Sequence, residues 1–215
     1  LPDGVRLWRM TEEDRVRQSL VEMVPGGAPV VATFAFTPKL SMRERFYFFY
    51  HIYASPTHPD FQPLVPQIQS GAEYALVDFN DWLTFYDFYS PGGDRVIREF
   101  LSAGEWGAEE YINDLVLFRK RAPGAYPPVE EVAQASPAFP AGREVAPGLV
   151  FLGHSAAEPE WRGHRLLDLS CWFRAARPVP GEFIVNPLLF REGEAVLEQP
   201  LFAPARILPP SRWEA

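Results

Sequence analysis

Two periods of apolar spacing run along this chain, and they divide it. In residues 11–24, "TEEDRVRQSLVEMV", the apolar side chains Val16, Leu20, Met23 and Val24 recur at helical spacing. Thr11 stands in N-cap position with Asp14 three residues on and acids in the first turn. The spacing therefore predicts a helix that "PGG" at 25–27 ends. Residues 30–36, 46–53 ("FYFFYHIY"), 72–79 ("AEYALVDF") and 111–121 ("YINDLVLFRKR") are runs too apolar for a half-exposed face, and each predicts a buried strand. Residues 94–104 place Val96, Ile97, Phe100 and Leu101 on one side of a second helix closed by Gly104. Residues 55–67 carry four prolines and predict a loop. Together these elements predict an α/β domain over 1–121, built on a small, mostly parallel sheet.

The pattern changes after Arg121. Residues 122–144 are rich in proline and lack periodicity, which predicts a linker. From 145 to 215, short apolar stretches separated by Pro and Gly turns recur at intervals of roughly a dozen residues, with clear alternation in "LLDLSCWF". No helix is predicted there, and the signature is that of an all-β domain, a β-sandwich. The expected fold class is thus α/β plus all-β.

Composition narrows the chemistry. The net charge of −8 over 215 residues makes nucleic acid a poor partner. The single cysteine, Cys171, excludes an intramolecular disulfide and a multi-cysteine metal site, and its place in a predicted strand points to a buried structural thiol. The longest uncharged stretch, Met23 to Pro38, is broken by Pro25, Gly26, Gly27 and Pro29, so it does not predict a membrane helix. The first residue is Leu rather than Met, and the sequence is read as a piece of something longer.

Candidate sites follow from the strand ends. In an open α/β sheet, ligands bind beyond the carboxyl ends of the strands. Lys39, Arg43 and Arg45 follow the first strand and form either a surface basic turn or an anion site. The absence of glycine there weighs against a phosphate cradle. Asp78 and Asp81 end the third strand, where they either cap a turn or, with Asn80, offer hard oxygens to a divalent cation. His154 and His164 bracket a loop with Glu158 and Glu160, a conceivable metal cluster beside the plainer reading of exposed loop histidines. Residues 78–93 are crowded with aromatics: Phe79, Trp82, Phe85, Tyr86, Phe88 and Tyr89. They read as the cover of a core, as a partner- or membrane-facing surface, or as a sugar-stacking site. No nucleophile elbow or Cys–His pairing is present in the sequence, and no cofactor is implied.

Three phrases together resemble a family of bacterial multi-pass membrane proteins of unknown function, related in design to membrane glycosyltransferases that use lipid-linked sugars. The first is "VPGGAPVVATFAFTPKLSMRERFYFF", with a P-x-L-S-x-R element at Pro38, Leu40, Ser41 and Arg43. The second is A-x-Y-x-L-x-D at Ala72, Tyr74, Leu76 and Asp78; the third is "DLVLFRKR". The resemblance covers residues 10–121. The tail is similar to β-sandwich domains at the ends of related membrane proteins, with markers at Trp172, the Pro180-Gly181-Phe183 turn and Trp213. The resemblance implies an extracytoplasmic region at the cell membrane, whose partners are the membrane-embedded part of the same polypeptide and a glycan or lipid-linked sugar. It implies no catalytic residue in this stretch and no cofactor. The ligand-facing candidates are Lys39, Ser41, Arg43, Asp78, Asp81 and Trp82. A free-standing α/β enzyme acting on a phosphorylated or nucleotide ligand and a carbohydrate-binding module are the alternatives.

Overall fold

A computed structural model describes residues 10–85, 92–103, 106–112, 114–123, 132–175, 188–191 and 194–198. The chain divides into two compact units, 1–125 and 126–215.

The first unit opens with helix α1 (Glu12–Met23), and its start follows the expected chemistry. The Thr11 hydroxyl accepts from the Asp14 amide, and the Asp14 carboxylate accepts from the Thr11 amide, a complete capping box. Val16, Leu20 and Val24 are buried along one stripe. Beside this helix lies a five-stranded sheet, ordered β2-β1-β3-β5-β4. Its strands are β1 (Val30–Ala32), β2 (Phe46–Phe48), β3 (Tyr74–Asp78), β4 (Trp106–Ile112) and β5 (Leu115–Lys120). β2, β1 and β3 run parallel, in the register Phe46–Val30–Tyr74. β5 is antiparallel to β3, and β4 is antiparallel to β5. The sheet is therefore mixed rather than mostly parallel.

The difference has a local cause. The run 111–121 predicts one strand, but Asp114 sits in a turn, and β4 and β5 pair antiparallel as a hairpin.

Two other predicted strands stop early. β1 ends at Ala32; a 3-10 turn (Phe34–Phe36) and the short helix α2 (Thr37–Leu40) follow, with Pro38 in the first turn, where its missing N–H costs nothing. β2 ends at Phe48, and helix α3 (Phe49–Tyr53) takes the rest of the aromatic run. A continuous apolar run has no period to mark where strand gives way to helix. The predicted loop 55–67 contains a 3-10 turn (Pro59–Phe61) and the start of helix α4 (Leu64–Gly71). Pro66 lies in the first turn of α4, among amides that have no intrahelical acceptor anyway. Helices α5 (Trp82–Phe85) and α6 (Gly93–Ala103) complete the unit. Gly104, expected to close α6, lies outside the described residues.

The core is aromatic. Phe36, Phe49, Tyr53, Phe85 and Phe118 are each almost wholly buried. The Phe85 ring lies edge-on to Tyr53 at 5.1 Å and parallel to Phe79 at 5.9 Å, separations at which aromatic pairs add to area burial.

In the second unit the described secondary structure is all strand. β6 (Phe139–Ala146), β7 (Leu149–Ala157) and β10 (Asp168–Ala175) form an antiparallel sheet ordered β10-β7-β6. β8 (Glu160–Trp161) and β9 (His164–Arg165) pair as a hairpin, as do β11 (Leu188–Arg191) and β12 (Glu194–Glu198). β6 begins inside the stretch read as linker. Cys171 is exposed on β10, not buried as expected. The markers Pro180, Gly181, Phe183 and Trp213 lie outside the described residues.

Candidate functional site

The order β2-β1-β3 puts a neighbour on each side of β1, so the carboxyl ends of β1 and β3 flank the place where open α/β sheets hold ligands. Polar side chains gather there: Thr33 just after β1, Asp78 at the end of β3, and Asp81 and Thr84 at α5. All four are buried.

These groups are bound to one another and to the chain. The Asp81 carboxylate accepts from the Ala35 amide at 2.9 Å, from the Thr84 hydroxyl at 2.7 Å and from the Leu83 amide at 3.2 Å. The Phe34 amide donates to the Thr84 hydroxyl at 3.1 Å. The amides of Phe34 and Ala35 open the turn after the first parallel strand, the position that binds a ligand anion in nucleotide-binding folds. Here a carboxylate and a hydroxyl of the protein's own α5 occupy them.

Asp78 is similarly engaged. Its Oδ2 accepts from Arg17 Nε at 3.0 Å and Nη2 at 2.8 Å; its Oδ1 accepts from the Asn80 amide at 2.9 Å. Its own amide donates to the Thr33 hydroxyl at 3.0 Å. Arg17 also reaches Glu13 and Asp14 on α1. Burial pushes the Asp78 carboxyl above its ordinary pKa, against the pull of Arg17. Burial alone would weaken the charge on Arg17, but Asp78, with Glu13 and Asp14, outweighs it and raises the guanidinium pKa. The Asn80 side chain donates to Asp114, which is buried in the β4–β5 turn, and the Asp114 carbonyl accepts from the Phe79 amide at 2.9 Å.

The six candidate residues do not form one cluster. Asp78 and Asp81 share the carboxyl end of the sheet. Arg43 lies at the opposite, amino end, where it closes the C-terminus of α1: Nη2 donates to the Val24 carbonyl at 2.9 Å and Nη1 to the Pro25 carbonyl at 2.6 Å. Lys39 donates to the Gln18 side chain at 2.8 Å on an exposed surface. Ser41 is exposed in the turn after α2. Trp82 is 61% exposed at the start of α5, while Phe79 and Phe85 from the same aromatic run point into the core. Tyr86, Phe88 and Tyr89 lie outside the described residues.

Among the described residues, no group of three or more His, Cys, Asp or Glu side chains is placed to hold a metal ion. His154 stacks on Phe139 with ring centres 5.0 Å apart, His164 is buried, and Glu158 pairs with Arg165.

Sequence reasoning missed Arg17, Thr33, Thr84 and Asp114. Arg17 had a signal: it is adjacent to the buried stripe of α1 and one turn after two acids. Thr33 and Thr84 had none beyond being small polar residues in apolar surroundings.

A cleft of about 210 Å³ lies elsewhere, between the edge strand β2 and α4. Comparison with protein-family models, curated proteins and solved structures returns no match.

Proposed function

We propose that the chain is a non-catalytic extracytoplasmic region of a bacterial membrane protein, accessory to the handling of a lipid-linked sugar or envelope glycan by the membrane-embedded part of the same polypeptide. One observation carries the non-catalytic half of this reading: the turn amides at the β1–β3 crevice are filled by Asp81 and Thr84. Of Lys39, Arg43 and Asp78, which an enzyme for phosphorylated ligands would need in one place, Arg43 stands apart on the Val24 and Pro25 carbonyls after α1, while Lys39 and Asp78 are bound to Gln18 and Arg17 of α1. The membrane and glycan half rests on the resemblance carried by Pro38, Leu40, Ser41, Arg43 and the Ala72–Asp78 phrase. In the same reading, the β10-β7-β6 sheet is one half of a β-sandwich. No helix among the described residues is long and apolar enough to cross a membrane.

The test uses the natural gene product in its own cells. It partitions with the inner membrane, and a tag after residue 215 is cut by protease added outside that membrane. The isolated chain yields no product from polyprenyl-phosphate hexose or nucleotide sugars. Recovery of the natural product in the cytosol, or turnover by the isolated chain, would overturn the reading.

A further inference from the structure

The cleft beside β2 has a chemistry of its own. It is lined by Phe46, Tyr47 and Phe48 of β2, His51 of α3, and Leu64, Gln67 and Ile68 of α4. The Phe46 and Phe48 rings meet edge to face at 4.9 Å, and Phe48 meets the His51 ring at 5.7 Å. Tyr47 lies close over α4 because residue 71 is glycine: a Cβ there would stand 2.5 Å from the Tyr47 hydroxyl.

Its electrostatics select against ions. No Asp, Glu, Lys or Arg is among the lining side chains. Burial lowers the His51 pKa from its ordinary value, which keeps the imidazole neutral at neutral pH, with one donor and one acceptor nitrogen. Gln67, exposed at the rim, adds an amide donor and acceptor. β2 is also the edge of its sheet, so alternate main-chain groups point away from β1.

We propose that this cleft binds a single uncharged sugar ring, its C–H face against the Phe46 and Phe48 rings and its hydroxyls hydrogen-bonded to His51, Gln67 and the Tyr47 hydroxyl at the α4 side. The ligand class is matched by charge: a neutral, hydroxylated ring needs aromatic surface and uncharged donors and acceptors, whereas a phosphate or carboxylate would meet no cation among these residues. The volume is below the range of about 300–1,000 Å³ usual for drug-sized ligands and suits one ring rather than a chain of them. This inference rests on the glycan half of the reading above and places it at a definite surface.

Saturation-transfer NMR of the whole chain tests it with methyl glycosides of glucose, galactose, mannose and N-acetylglucosamine, and with hexan-1-ol as an apolar probe. The expected result is a saturable signal from at least one glycoside in the millimolar range, weakened about threefold or more in Gln67→Ala and in His51→Ala, the loss of one neutral hydrogen bond each. Gln67 is on the surface, so its variant keeps the wild-type melting temperature. No saturable signal from any glycoside, equal binding by both variants, or binding of hexan-1-ol alone would overturn the proposal. Membrane partition of the natural product is measured independently, so failure of the cleft and failure of the membrane reading are distinguishable.

Discussion

Asp81→Ala is the sharpest perturbation of the β1–β3 crevice. It removes the acceptor of three donors at once: the amides of Ala35 and Leu83 and the hydroxyl of Thr84. Asp81 is 8% exposed, so water replaces little of what is lost. Each hydrogen bond to a charged acceptor contributes about 1.5–3 kcal/mol, and the three share one carboxylate and do not add fully. The expected loss is about 3–5 kcal/mol. Asp81→Asn keeps one acceptor oxygen and turns an amide toward a donor, so its loss is smaller, about 1–3 kcal/mol. Urea unfolding followed by circular dichroism measures both, and with a slope of about 2 kcal/mol per molar urea the Ala variant shifts the midpoint of the first unit by roughly 2 M. A loss below about 1 kcal/mol for Asp81→Ala would refute the reasoning, because the carboxylate would then not be what holds the turn after β1.

Arg17→Met strands the buried Asp78 charge and costs about 3–5 kcal/mol in the same urea assay, and the double variant with Asp78→Asn recovers part of it. The pH dependence of Asp78 has a definite sign. Its folded-state pKa is raised above 3.8, so its titration contributes stability that is fully present below that value and lost as pH rises through the folded pKa. Wild type therefore gains stability relative to Asp78→Asn as pH falls from neutrality toward 3.8, read as converging or crossing melting curves. Gly107→Ala costs more than about 3 kcal/mol, because the new methyl would stand 2.0 Å from the Ala122 carbonyl oxygen, a backbone atom. Gly71→Ala costs less, about 1 kcal/mol, and Tyr47→Phe relieves part of it, since the clash is chiefly with the Tyr47 hydroxyl. Thermal unfolding checks both glycines.

What was legible in the sequence was local. The capping box at Thr11 and Asp14 and the stripe Val16, Leu20, Val24 fix α1 with nothing beyond a few neighbouring residues. β3 was legible because its run is short and bounded. The runs at 30–36 and 46–53 were legible only as far as β1 and β2: where nearly every position is apolar, neither period is visible, and the switch from strand to helix at Phe48–Phe49 is set by tertiary packing. The parallel order was overestimated because a turn marked by Asp114 alone is a weak signal beside the apolar weight of the chain around it. At the crevice, the Asp pair was visible as chemistry but its partners were not. Arg17 is 61 residues from Asp78, and Asp81 reaches an amide 46 residues away; such distances are invisible to spacing arguments. Capping of turn amides was the plainer of the two readings for these acids, and it is the one Asp81 follows.

The most direct measurement is amide hydrogen exchange at Phe34 and Ala35. With the buried Thr84 and Asp81 side chains accepting these amides in a half-buried turn, both exchange as slowly as the Leu76 amide in the centre of the sheet, opening only when the unit unfolds. Exchange at rates near those of an open loop, or slowing only after inorganic phosphate is added, would mean that the crevice is vacant for a ligand and that the chain is built to bind an anion there.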